Sequence, residues 1–197
     1  MTHQPTGPAP TSPAPTGPAL GGGDPMRGDA ARDWEDVRAY PLGQQQEAEL
    51  LERQTECTFI WLDRDGHPRG VVMNYLVADS RFWLTATAGR PRVAAVRRDP
   101  RVSIAISSRG SGIAVSRSLT RTGTCVVHDD DATRAWFYPA LAARLRPGDE
   151  AAAASFAAHL DSPGRVVLEV VPAGRIGFDG AAMWSAAPSA APTRPAS

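Results

Sequence analysis

The sequence predicts a mainly β domain of the α+β class, a six-stranded antiparallel barrel with helices inserted late in the chain. Six segments alternate apolar and polar residues with the period of a strand. Most of them follow one another through short turns, which suits antiparallel pairing rather than a doubly wound parallel sheet. The longer helical segments cluster after the fifth strand, and no internal repeat is present.

Residues 1–40 are rich in Pro, Ala, Gly and Thr and predict a disordered tail, because they hold too little large apolar surface to offset chain entropy. Trp34, Val37 and Tyr40 are placed to dock the end of this tail on the domain, which spans 41–184. A second low-complexity tail, 185–197, closes the chain. A helix is expected over 43–56, with Leu50 and Leu51 inward. The first strand, 57–63, turns through Arg64-Asp65-Gly66-His67, where Asp-Gly supplies the positive φ of a tight hairpin. Asp63-Arg64-Asp65-Gly66 begins like a calcium loop, but the closing ligands are absent and it reads as a turn.

The second strand is 69–77 and the third 81–87, with Phe82, Leu84 and Ala86 on one face and Trp83, Thr85 and Thr87 on the other. Gly89 and Pro91 end that strand, and a short helix carries Val93 and Val96 on one side with arginines on the other. Asp99-Pro100 stops the helix. Val102, Ile104 and Ile106 point inward from the fourth strand, 101–107. Residues 108–112 form a loop whose Gly-x-Gly opens no helix, so a Rossmann reading fails. In the fifth strand, 118–128, Gly123 marks a bulge or a close backbone approach. Asp129, Asp130 and Asp131 suit the start of a helix over 132–145, with Phe137, Leu141 and Leu145 on one stripe and Pro139 a candidate kink. An alanine-rich helix with Phe156 and Leu160 follows the Pro147-Gly148-Asp149 turn. The last strand, 165–171, continues at 175–178.

Composition narrows the function. Basic and acidic residues balance at 21 each, so charge gives no case for nucleic acid or an anionic membrane. Every basic residue is arginine, which excludes a Schiff-base lysine and assigns any phosphate contact to a guanidinium. No apolar run reaches the roughly 20 residues of a transmembrane helix, and no secretion signal opens the chain. Cys57 and Cys125 sit in apolar strands without metal spacing and read as buried free thiols of a cytoplasmic protein. His3, His67, His128 and His159 are scattered and suggest no nucleophilic triad. Trp61 and Trp83 read as core.

One stretch concentrates donors. Thr85 and Thr87 end a strand, Gly89 turns the chain, and Arg90 and Arg92 flank the start of a helix whose partial positive charge favours an anion. The same pattern also suits an ordinary strand–helix–strand connection with solvated arginines, and the residues alone leave both open. Asn74 and Tyr75 are polar positions on a central-looking strand, where sheet neighbours can satisfy Asn74.

The order of elements resembles one family, the flavin-binding split barrels that include pyridoxamine 5′-phosphate oxidase and the deazaflavin-dependent reductases. The resemblance spans about 44–183 and is most specific over Leu84-Thr85-Ala86-Thr87-Ala88-Gly89-Arg90-Pro91-Arg92-Val93 and Arg98-Asp99-Pro100-Arg101-Val102-Ser103. It extends to Ser118-Leu119-Thr120-Arg121-Thr122-Gly123 and Arg165-Val166-Val167-Leu168-Glu169-Val170. It implies a split β-barrel homodimer with FMN at the subunit interface, or the deazaflavin coenzyme F420 as the alternative. It places the cofactor phosphate on Arg92, with Thr85, Thr87 and Arg90 completing that site. The flavin ring would lie along Val72, Met73, Asn74 and Tyr75, and Ser118 would meet the cofactor. The implied activity is that of a flavin-dependent oxidoreductase acting on a small molecule; a non-catalytic flavin or haem carrier is the reading from another class. Two departures matter. Arg121 replaces an apolar strand residue, and the C-terminal Arg-Leu-x-x-Arg of the oxidase is missing, so vitamin B6 oxidation is not expected.

Overall fold

The computed structural model describes residues 37–186 and 188. The two tails expected from composition fall outside these residues, apart from 37–40, 185, 186 and 188. Tyr40 is buried, and its carbonyl accepts a hydrogen bond from Asp179 N (3.0 Å).

Seven antiparallel strands form one sheet: β1 (Glu56–Leu62), β2 (Pro68–Asn74), β3 (Leu76–Ala78), β4 (Arg81–Thr87), β5 (Arg101–Ser107), β6 (Arg117–His128) and β7 (Arg165–Asp179). Their order is β2-β1-β5-β6-β7-β4-β3. The two end strands, β2 and β3, are consecutive in the chain, so the sheet curls round into a split barrel. This corrects the expected count of six. The segment 69–77 is interrupted at Tyr75, because β2 pairs with β1 while β3 must join β4. Tyr75 anchors the switch: its ring is fully buried, and its hydroxyl donates to Leu51 O (3.4 Å). The β3–β4 turn uses Asp79 and Ser80, both at positive φ (51° and 61°), the backbone of a tight hairpin. A second difference is that β7 is unbroken from Arg165 to Asp179, paired along its length with β6.

Alternation decides which residues fill the barrel. Phe82, Leu84 and Ala86 join Phe59, Ile104, Ile106, Leu119 and Leu168 in the main core. Helix α1 (Gln44–Arg53) contributes Leu50, and α2 (Pro91–Arg98) contributes Val93 and Val96. Asp99 stops α2; the guanidinium of Arg101, bonded through Nε (2.9 Å) and Nη2 (2.7 Å), holds its carboxyl down at about 2. The opposite face of β4 and β7 is covered by α3 (Asp131–Leu145) and α4 (Glu150–Leu160). Trp83 and Val167 pack there against Phe137, Tyr138, Leu141 and Leu160. Asp130 caps α3 by accepting from Thr133 N (2.7 Å), as the acidic run suggests. A short α5 (Gly180–Ala186) follows β7. Both cysteines are free and buried, and burial pushes each thiol up to about 12, so neither is a poised nucleophile.

Candidate functional site

The strand–turn–helix corner forms as its residue types dictate. Arg90 N donates to Thr87 O (2.9 Å), closing the turn after β4, and Pro91 opens α2, where a missing N–H costs nothing. Arg90 is the N-cap and makes no side-chain bond to the first amides of the helix. Arg92 is half-buried, and its Nε is shielded from solvent without a hydrogen-bond partner among the described residues. Burial first, then the charge of Arg90, lowers its pKa from the usual guanidinium value. Arg92 thus carries a partly desolvated guanidinium with an unpaired donor next to a second cation, an arrangement that a bound anion would stabilise.

The two threonines differ. Thr85 is half-buried, its hydroxyl donating to Val166 O (3.1 Å) and lying 3.4 Å from Tyr138 Oη, so its one proton is committed to the barrel wall. Thr87 is exposed, and its hydroxyl has no partner among the described residues. The turn therefore sets Thr87, Arg90 and Arg92 close together along the chain, while the Thr85 hydroxyl bonds towards β7 and α3.

The other predicted residues divide by strand face. Met73 and Tyr75 point into the core, whereas Val72 and Asn74 point outward; Asn74 Nδ2 donates to Thr55 O (3.2 Å). Because β2 has only β1 as a neighbour among the described strands, every second residue along it presents N–H and C=O to an open edge. Val72 and Ser118 line one cleft of about 280 Å³, which does not include the threonine–arginine corner. Sequence reasoning missed the rest of this cleft, including Gln54, Thr58 and Thr120. Thr120 was within reach, since it lies two residues from Ser118 on the same strand face. Gln54 was not: its side chain donates to Ser107 O (2.6 Å) and Arg109 O (3.0 Å), contacts made across the fold.

A third group of polar residues, also missed, is centred on Glu169. This buried carboxylate pairs with Arg81 and with His128 Nε2 (2.6 Å), while the His128 ring lies 5.6 Å from that of Trp83. Burial opposes the charge, but hydrogen bonds from His128 and Arg81 outweigh it and hold the Glu169 carboxyl below the usual carboxylate range. The folded state then binds fewer protons than the unfolded chain, so stability rises with pH in this window. The contribution is complete above the unfolded value of about 4.3 and is lost as pH falls through the lower folded value. Urea midpoints measured from about pH 6 to about pH 3 should fall more steeply in wild type than in Glu169→Gln.

Comparison with known proteins decides the family. The family model described as pyridoxamine 5′-phosphate oxidase matches residues 44–175. The chain belongs to this family. No curated protein is significantly similar to it in sequence. Among solved structures, it resembles a conserved hypothetical protein from Mycobacterium tuberculosis at 19% identity and TM-score 0.64, covering 74% of this chain and 89% of that one. A putative pyridoxamine 5′-phosphate oxidase from Listeria innocua is 20% identical with TM-score 0.51, covering 68% and 95%. HutZ, the haem storage protein from Vibrio cholerae, is 11% identical with TM-score 0.53, covering 70% and 94%. At these identities the likeness is one of fold. No described helix is long and apolar enough to cross a membrane.

Proposed function

We propose that the protein binds FMN as a homodimer and is an oxidoreductase acting on a small molecule, and that it is not a vitamin B6 oxidase. The observation that carries the reading is the shielded, unpartnered Nε of Arg92 beside Thr87 and Arg90, which fits the phosphate of a flavin nucleotide. The open edge of β2 supports a ring-binding role for Val72, Met73 and Asn74, since a flavin ring offers donors and acceptors along its rim, and Tyr75, just past the end of β2, completes the proposed stretch. Ser118 faces the cleft that Val72 shares. FMN bound there would supply the hydride or electron chemistry, and the protein would bind, orient and shelter it. No side chain is assigned as a general acid or base.

The outer face of the sheet supports a second copy. One cross-strand row runs Val72–Thr58–Ala105–Thr120–Ile176, with Val72 60% and Ile176 66% exposed. Exposed apolar ends around small residues make a flat surface suited to self-association. The Val72–Ser118 cleft does not include the Arg92 corner, and a site using both fits one shared between two chains.

The absorbance spectrum of the purified protein tests this reading. Flavin bands, released as FMN on denaturation, are expected, together with turnover of the bound flavin by NAD(P)H and an acceptor. A single deazaflavin band would move the cofactor to coenzyme F420, and a Soret band would make the protein a haem carrier. Light scattering should give a dimer at micromolar concentration, and a monomer would count against the shared site.

A further inference from the structure

A second cleft, of about 610 Å³, lies on the other side of β6 from the Val72–Ser118 cleft. Its polar wall is a pair of arginines. Arg121 on β6 and Arg175 on β7 are directly opposite each other in the ladder, an arrangement of like charges that destabilises a sheet unless it is neutralised. One carboxylate serves both. Glu47, from the first turn of α1, accepts from Arg121 through Oε1 and from Arg175 Nε through Oε2 (2.7 Å). Arg175 also donates to Leu42 O.

Two guanidinium groups facing one carboxylate leave one positive charge in the cleft. Leu42, Ala48 and Leu51 form its apolar wall, and Gly43, the N-cap of α1, provides no side-chain cap. Both arginines remain partly open, with side chains 25% and 33% exposed, whereas the Glu47 side chain is 12% exposed. The geometry points to a binding site for a small organic acid: its carboxylate pairs with Arg121 and Arg175, its apolar body lies on the Leu42–Leu51 wall, and Glu47 is the internal anion it competes with. This site lies on the opposite face of β6 from the proposed flavin cleft and does not depend on it.

Benzoate, with benzyl alcohol as the uncharged counterpart, tests this by calorimetric titration into the full-length protein. Wild type should bind benzoate more tightly than benzyl alcohol. Arg121→Leu, which leaves Glu47 paired with Arg175, should weaken benzoate binding about tenfold or more and leave benzyl alcohol unchanged. Glu47→Gln should tighten benzoate binding, because it removes the competing charge. A purely structural ion cluster predicts neither the preference for benzoate nor opposite signs for the two variants. Equal affinity for the two probes in wild type, unchanged benzoate affinity in folded Arg121→Leu, or weaker binding in Glu47→Gln would each overturn the proposal. The comparison in wild type needs no variant, so the test stands even if Arg121→Leu does not fold.

Discussion

Arg92→Ala is expected to weaken FMN binding by roughly 30- to 3,000-fold, the consequence of losing about 2–5 kcal/mol with one partner of a desolvated charge pair. Titration of FMN into the apo protein, followed by flavin fluorescence, measures it. The same substitution in the cofactor-free protein should cost little stability, because Arg92 Nε is buried without a partner and its removal relieves both that burden and the repulsion from Arg90. That combination, a large loss of affinity with a small change in melting temperature, separates a phosphate ligand from a structural arginine. Arg97→Ala is the control on the same helix: Arg97 is exposed and 3.8 Å from Asp129, and its loss should leave FMN affinity within about twofold. Thr87→Val should fall between, since it deletes one neutral hydrogen bond worth about 1 kcal/mol and keeps a strand-favouring shape. Equal affinities in Arg92→Ala and wild type would return the corner to the role of a plain strand–helix connection.

Gly123→Ala should be among the most damaging single-methyl additions in the chain. A Cβ there would lie 2.2 Å from Val171 O and 3.0 Å from both Val171 C and Pro172 Cα. All three are backbone atoms of β7, at the place where the β6–β7 register shifts between Thr122 and Gly123, so no side chain can swing aside. Parting the two longest strands to make room should cost about 3 kcal/mol or more, a fall in melting temperature of roughly 6–12 °C for a chain of this size. Gly89→Ala is the contrast, because nothing lies within 4 Å of the added atom and φ is not in the left-handed region. Its effect on melting should be under about 0.5 kcal/mol.

Local chemistry made much of this legible in the sequence. Gly123 stood out because a glycine inside an alternating strand is unfavourable unless a neighbour needs the space, and Val171 O is that neighbour. The acidic run Asp129, Asp130 and Asp131 announced the start of α3, because a carboxylate before a helical run has free amides to accept from, and Asp130 is the one that does. The division of β4 into Phe82, Leu84 and Ala86 on one face and Trp83, Thr85 and Thr87 on the other followed from the pleat alone. The break at Tyr75 had no such signal. Nothing in the alternation of 69–77 says that the chain changes partners there.

What the sequence alone determined is therefore whatever depends on residues close together in the chain: most of the strands and their inward faces, the turns between them, the helix starts, and the order Thr87, Arg90, Arg92 along one strand–turn–helix. Tertiary structure decided what depends on distant residues. It committed Thr85 to Val166 O, placed Val72 and Ser118 in one cleft, and made a single carboxylate, Glu47, answer to Arg121 and Arg175. The physical reason is that pleat and propensity fix only which way a side chain leaves its own backbone. What it meets there is set by sheet order and register, and those arise from the whole chain folding at once.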